Sequence, residues 1–262
     1  IEDVGHIGLG DAAVIGGWMF VAFSVAQFLF APVMGALSDA FGRRPLLLLA
    51  VFGLFVDYVF SAMAPTLGWL FVGRIIAGIC GSSYVIANAF IADVTAPEDR
   101  ARAFGLMGAA FGVGFVIGPA IGGLLGEFGP RVPFWVAAAI SGLNFVYGYF
   151  VLPETLALEN RRRFRLADAN PLGTFRIFAQ VKGVVPLVSV LGVFFFASSV
   201  YPAIWPFWGI ARFGWSETVI GLTLAAFGIV AAVTQGALSG PLVARFGEHR
   251  VAFWGLVFAA VA

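Results

Sequence analysis

Charge is scarce in this sequence: Asp, Glu, Lys and Arg make up 11% of its 262 residues, where a water-soluble domain carries about a quarter. That scarcity excludes an ordinary solvated surface. Histidine and cysteine are rarer still, at two and one. His6 and His249 have no partner at ligand spacing, so no metal site is expected. Cys80 lies in an apolar stretch and reads as a small buried side chain rather than a redox or metal group. A GxxxxGK phosphate loop is missing, which leaves no support for ATP as an energy source. The net charge of +1 comes from basic residues scattered along the chain, not gathered on a face that could track nucleic acid. No cofactor and no enzymatic constellation is expected.

What abounds is apolar. Hydrophobic residues reach 61%, 29 of the residues are Phe, and mean hydropathy is +0.98. About 20 such residues let a helix cross the roughly 30 Å hydrocarbon layer, where only an internally hydrogen-bonded backbone is tolerated. The expected fold is an all-α polytopic membrane protein. Seven complete spans are read, at 12–37, 45–64, 67–91, 104–125, 132–152, 184–207 and 218–238, with 251–262 beginning an eighth. Twelve of the 15 Lys and Arg fall in gaps of one parity, from Arg43 and Arg44 to Arg245 and Arg250, which places those gaps in the cytoplasm and Ile1 to Asp11 outside. Trp18, Trp69, Trp135 and Trp208 read as interfacial anchors. The chain reads as a fragment with spans missing at both ends, and as multi-pass in a bacterial inner membrane in contact with lipid.

Gly35-Ala36-Leu37-Ser38-Asp39 at the end of the first span is echoed by Gly236-Ala237-Leu238-Ser239-Gly240 at the end of the seventh. Both end inward-running spans, as parallel half-repeats would. The long polar interval 153–183 is the natural linker, giving an N-terminal half at 1–152 and the start of a second at 184–262. Its cluster Arg161-Arg162-Arg163-Phe164-Arg165 reads as a topology anchor. A weak amphipathic pattern over 175–181 suggests a short interfacial helix.

Two charges fall inside spans. Asp57 and Arg74 lie at similar depth on sequence-adjacent antiparallel helices, where an ionised group costs several kcal/mol unless paired or wetted. Asp57 reads as a proton or cation carrier with Arg74 as its partner; a static buried pair, or a charge that escapes to the interface, is the alternative. Gly114, Gly118, Pro119, Gly122 and Gly123, with Gly105, Gly108 and Gly112 before them, give one span a small-residue surface and a proline bend, read as a pivot or as plain close packing. Asp39, Gly42, Arg43 and Arg44, with Asp93 and Arg100 across the same face, could form a latch made and broken in a cycle, or could cap and anchor helix ends. Gln27, Tyr84, Asn88, Asn144, Tyr147, Tyr201, Trp205 and Gln235 are polar or aromatic groups within spans that could face a substrate cavity or tie helices together.

Gly35-Ala-Leu-Ser-Asp39-Ala-Phe-Gly42-Arg43-Arg44 resembles the signature between the second and third helices of major facilitator superfamily transporters. Gly114-Phe-Val-Ile-Gly118-Pro119-Ala-Ile-Gly122-Gly123 resembles the fifth-helix signature of its proton-coupled exporters, and Gly73-Arg74-Ile-Ile-Ala-Gly78 the fourth-helix arginine signature. Val56-Asp57-Tyr58, Ile91-Ala92-Asp93, Leu152-Pro153-Glu154 and Ala169-Asn170-Pro171-Leu172 are similar to the tetracycline/proton antiporter group. The resemblance implies a twelve-helix bundle of two halves, monomeric when complete, of which this chain holds helix two through the start of helix nine. It implies export of a drug-like amphipathic molecule in exchange for protons, with Gly35, Asp39 and the following arginines in gating and Asp57 in activity. Three departures from the pattern stand out: Ala40 replaces a usual basic residue, Ala259 stands near where an acid is expected, and Cys80-Gly81-Ser82-Ser83-Tyr84 replaces smaller residues. Import or facilitated diffusion on the same scaffold, and a non-transporting membrane remnant, stay open as alternatives.

Overall fold

A computed structural model describes residues 5–165, 169–171, 173 and 184–261. Among these the chain is a succession of helices with no strand. They are α1 (Leu9–Phe41), α2 (Arg43–Ala62), α3 (Leu67–Gly81), α4 (Ser83–Val94), α5 (Arg100–Gly126), α6 (Val132–Val151), α7 (Val184–Ser198), α8 (Val200–Phe213), α9 (Glu217–Val233), α10 (Ser239–Phe246) and α11 (Glu248–Val261). Six helical stretches are long and apolar enough to cross a membrane, α3 with α4 and α7 with α8 each making one. The seventh expected span differs. Its α-helix stops at Val233 after 17 residues and passes through a π-helical segment, Thr234–Leu238, into α10. The echo of the first signature therefore sits on an irregular backbone, whereas Gly35–Asp39 lies within regular α1.

Helix α1 has 33 residues, about 50 Å at 1.5 Å per residue, so it outreaches the hydrocarbon and carries Asp39 beyond it. Gly42, at φ +107°, ends α1 and starts α2; few side chains tolerate that angle. α2 then packs between α3 and α6, while α1 lies against α3. Close approach is what the glycines allow: a Cβ at Gly78 would sit 2.4 Å from the Phe23 carbonyl oxygen of α1, and one at Gly53 2.3 Å from Cys80 Sγ. Met34, Leu46, Ala50 and Ile86 form the buried cluster at the cytoplasmic end of α1, α2 and α4. Elsewhere large apolar side chains face outward, as in a bundle whose solvent is lipid.

α9 packs along α5, and α8 touches α1. The antiparallel α5–α9 crossing is tightest at its outer end, where a Cβ at Gly123 would meet the Glu217 carbonyl oxygen at 2.4 Å and one at Gly221 the Pro119 carbonyl oxygen at 2.3 Å. Further inward, nothing described lies within 4 Å of a Cβ at Gly105, Gly108, Gly112 or Gly114, and the same holds at Gly118 and Gly122. Among the described residues the close packing thus uses Pro119, Gly123 and Gly126 rather than the whole glycine run. The expected interfacial helix at 175–181 lies outside the described residues.

Candidate functional site

Asp57 sits on α2 with none of its surface exposed, and Arg74 on α3 reaches it, Nη2 to Oδ2 at 3.5 Å. The arginine side chain is 31% exposed, so the pair has a sealed acid and an accessible base. Gly73 makes this possible. A Cβ there would lie 2.8 Å from Asp57 Oδ1 and 2.9 Å from Ser61 Oγ. Ser61, one turn beyond Asp57 and 3% exposed, borders the same carboxylate; neither Asp57 Oδ1 nor Ser61 Oγ completes a hydrogen bond of ordinary geometry among the described residues.

Ser61 and Arg74 open onto a cavity of about 470 Å³ at the outer end of the bundle. α1 contributes Met19, Phe20 and Phe23, the α5–α6 turn Pro130 and Arg131, and the start of α6 Phe134. Arg131 Nη2 donates to the Ala64 carbonyl at 3.2 Å, which fixes it over the end of α2. Two guanidinium groups and one hydroxyl are therefore set in an otherwise apolar wall.

At the cytoplasmic end, the α1–α2 turn is gathered around Arg43. Its Nη1 donates to Asp39 and to Ser38 Oγ, and its Nε to Asp93 Oδ2 at 3.1 Å. Glu154, from just past α6, accepts the Arg43 backbone amide on Oε1 at 2.9 Å, together with the amides of Thr155 and Leu156 at 3.0 Å each. Oε2 faces Arg161 at 3.6 Å, and the Arg162 amide donates to the Asp39 carbonyl. Burial opposes the charge on Glu154, but the three amides and Arg161 together outweigh it and hold the carboxyl below its usual 4.5. The missing Cβ of Gly42 is the opening through which this acid enters, since a Cβ would lie 2.2 Å from Oε2.

Of the expected latch residues, Asp39, Arg43 and Asp93 are in direct contact, while Gly35 faces Val85 of α4 at a distance that would admit a Cβ. Arg44 turns away to the Tyr149 carbonyl and ring. Arg100 bonds the Ala92 and Thr95 carbonyls of its own loop and does not join Arg43. None of the expected cavity residues whose side chains are described lines the 470 Å³ cavity. The Gln27 backbone carbonyl accepts from Ser82 Oγ; Asn88 bonds the Tyr84 carbonyl; Trp205 Nε1 donates to Thr223 of α9. Tyr84, Asn144, Tyr147 and Tyr201 are exposed on their helices, and the Gln235 side chain lies outside the described residues. Sequence reasoning missed Ser61, Arg131 and the clamp role of Glu154. Ser61 was signalled by its i+4 spacing from Asp57, and Arg131 by being one of two basic residues in the outer gaps.

The family described as Major Facilitator Superfamily matches residues 8–262. The chain is 45% identical to the class C tetracycline resistance protein of Escherichia coli over 92% of its own length and 60% of the relative's. It is 28% identical to multidrug resistance protein 2 of Bacillus subtilis, covering 94% of the chain and 62% of that protein. The solved human organic anion transporter MFSD10 superposes with a TM-score of 0.65 at 30% identity, covering 87% of this chain and 56% of that one. The chain thus spans about 60% of the length of these curated relatives.

Proposed function

The chain belongs to the major facilitator superfamily of membrane transporters, and we propose that it exports a drug-like amphipathic small molecule in exchange for protons by alternating access. It is a multi-pass protein of the bacterial cell membrane, related to tetracycline and multidrug resistance proteins. The observation that carries the exchange is the sealed, half-satisfied carboxylate of Asp57 beside an accessible Arg74. With Arg74 against it, the acid can hold its charge; with Arg74 drawn into the cavity, a proton is what makes the same burial tolerable. That difference between states lets proton binding bias a conformational equilibrium.

Residues 153–183 link the two rocking halves in this reading, and the protein works as a monomer on one substrate and protons. The α5–α9 crossing closes the outer side, and the Asp39–Arg43–Asp93 cluster holds the cytoplasmic turn until the inner face rearranges. The experiment grafts residues 8–262 into the class C protein in place of its matching stretch and follows drug uptake and proton release in everted vesicles. Uptake should be coupled to proton release. Uptake that leaves proton movement unchanged overturns antiport, and a correctly inserted graft that moves no drug overturns export.

A further inference from the structure

We infer that the outer cavity is a binding site for an amphipathic organic anion, a carboxylate carried on a flat apolar body. Donors outnumber acceptors in its wall. Arg74 meets one acceptor there, Asp57 Oδ2 at 3.5 Å, and Arg131 one, the Ala64 carbonyl, although each guanidinium carries five N–H groups. Ser61 adds a hydroxyl that is 97% buried and lines the cavity beside the Asp57 carboxylate, with no hydrogen bond of ordinary geometry among the described residues. A buried hydroxyl whose hydrogen bonding is incomplete is uncommon and marks a place where a further partner fits.

Charge selects the sign of that partner. Asp57 neutralises at most one of the two guanidiniums, and Arg131, exposed at the rim of the apolar wall, keeps a positive charge whose fork of N–H groups suits a carboxylate. Phe20, Phe23 and Phe134 supply the faces for an apolar body. A volume of about 470 Å³ is in the range that encloses a drug-sized molecule. The carboxylate lies between Arg131 and the free side of Arg74, with one oxygen within reach of Ser61, and the body extends toward α1. This site deepens the export reading by naming a substrate class, and its place in a transport path rests on that reading; binding can be measured with no transport at all.

The test uses the protein in nanodiscs of zwitterionic lipid, with 1-pyrenebutyrate as probe and 1-pyrenebutanol as its uncharged counterpart, each corrected for discs without protein. The acid should bind about tenfold more tightly than the alcohol, the weight of one charge-assisted hydrogen bond. R131Q should bring the two within about threefold, and S61A should weaken the acid alone, both in protein that keeps the helical content of the original. Equal affinity for acid and alcohol overturns the proposal, as does a preference that survives R131Q. Adding phosphatidylglycerol to the discs separates the two sources of an anion: acid binding that persists supports a small-molecule ligand, and acid binding that is abolished assigns the site to a lipid headgroup and overturns it. Acid binding without flux would remove the transport reading and keep the site; flux without any preference for the acid would do the opposite.

Discussion

Replacing Glu154 should loosen the cytoplasmic turn in a way that can be worked out from its bonds. One carboxylate oxygen accepts three backbone amides, including the first of α2, and the other oxygen faces Arg161. An N-terminal cap is worth about 0.5–2 kcal/mol, and a buried donor left unsatisfied costs about 1–3 kcal/mol. The side chain is 29% exposed, so water replaces part of what is lost, and about 1–2 kcal/mol is a fair expectation for E154A. At 1.4 kcal/mol per decade, local opening should rise about five- to thirtyfold. Amide exchange at Gly42–Arg44, followed by mass spectrometry in nanodiscs, reads this directly. E154Q keeps an acceptor and loses the charge, so it should fall between. The sign of the pH effect follows from the lowered carboxyl: protection is complete above the ordinary value of 4.5 and is lost as pH falls below it through the folded value. E154Q should abolish that dependence. Exchange in E154A equal to that of the unmodified protein would refute the clamp.

Other substitutions separate the remaining claims. D57N should abolish proton-coupled uptake in the grafted protein without impairing insertion; accumulation at the original rate would remove Asp57 from coupling. G73A should push Asp57 and Ser61 aside and cost about 1–3 kcal/mol in thermal unfolding, whereas a neutral melt would contradict the contact. G123A and G221A should each disrupt disulfide cross-linking between cysteines placed at the outer ends of α5 and α9, while G118A, which points into open space, should leave it intact. If all three behave alike, the crossing does not depend on those two glycines. D39A should raise exchange at the same cytoplasmic turn, and an unaltered profile would take that acid out of the Arg43 cluster.

The spans were legible because lipid imposes a length and a charge asymmetry that a sequence carries openly, and the alternating arginines located each turn. The acid and base at Asp39 and Arg43 were legible for a similar reason, being four residues apart across a glycine. Asp57 and Arg74 could be placed together by counting depth on neighbouring helices. Azimuth could not be counted. In a bundle with apolar surroundings both faces of a helix are hydrophobic, so no amphipathic stripe says which way Tyr147 or Tyr201 points, and both are exposed. Glu154 was hidden for another reason: its partner amide is 111 residues away, and only the folded α2–α6 packing brings them together. The seventh span was legible in length but not in helix type: hydropathy continues through Thr234–Leu238, where the backbone stays helical but changes from α to π.

Cys80 equips the protein with its own spectroscopic handle. The lone thiol is wedged against Gly53, shielded from solvent, on the seam where α2 meets α3 only a few turns from Asp57 and Arg74. A motion that parts those two helices and lets water in would bare it to a maleimide, so the rate of alkylation becomes a clock for the seam, with no other thiol in these 262 residues to compete.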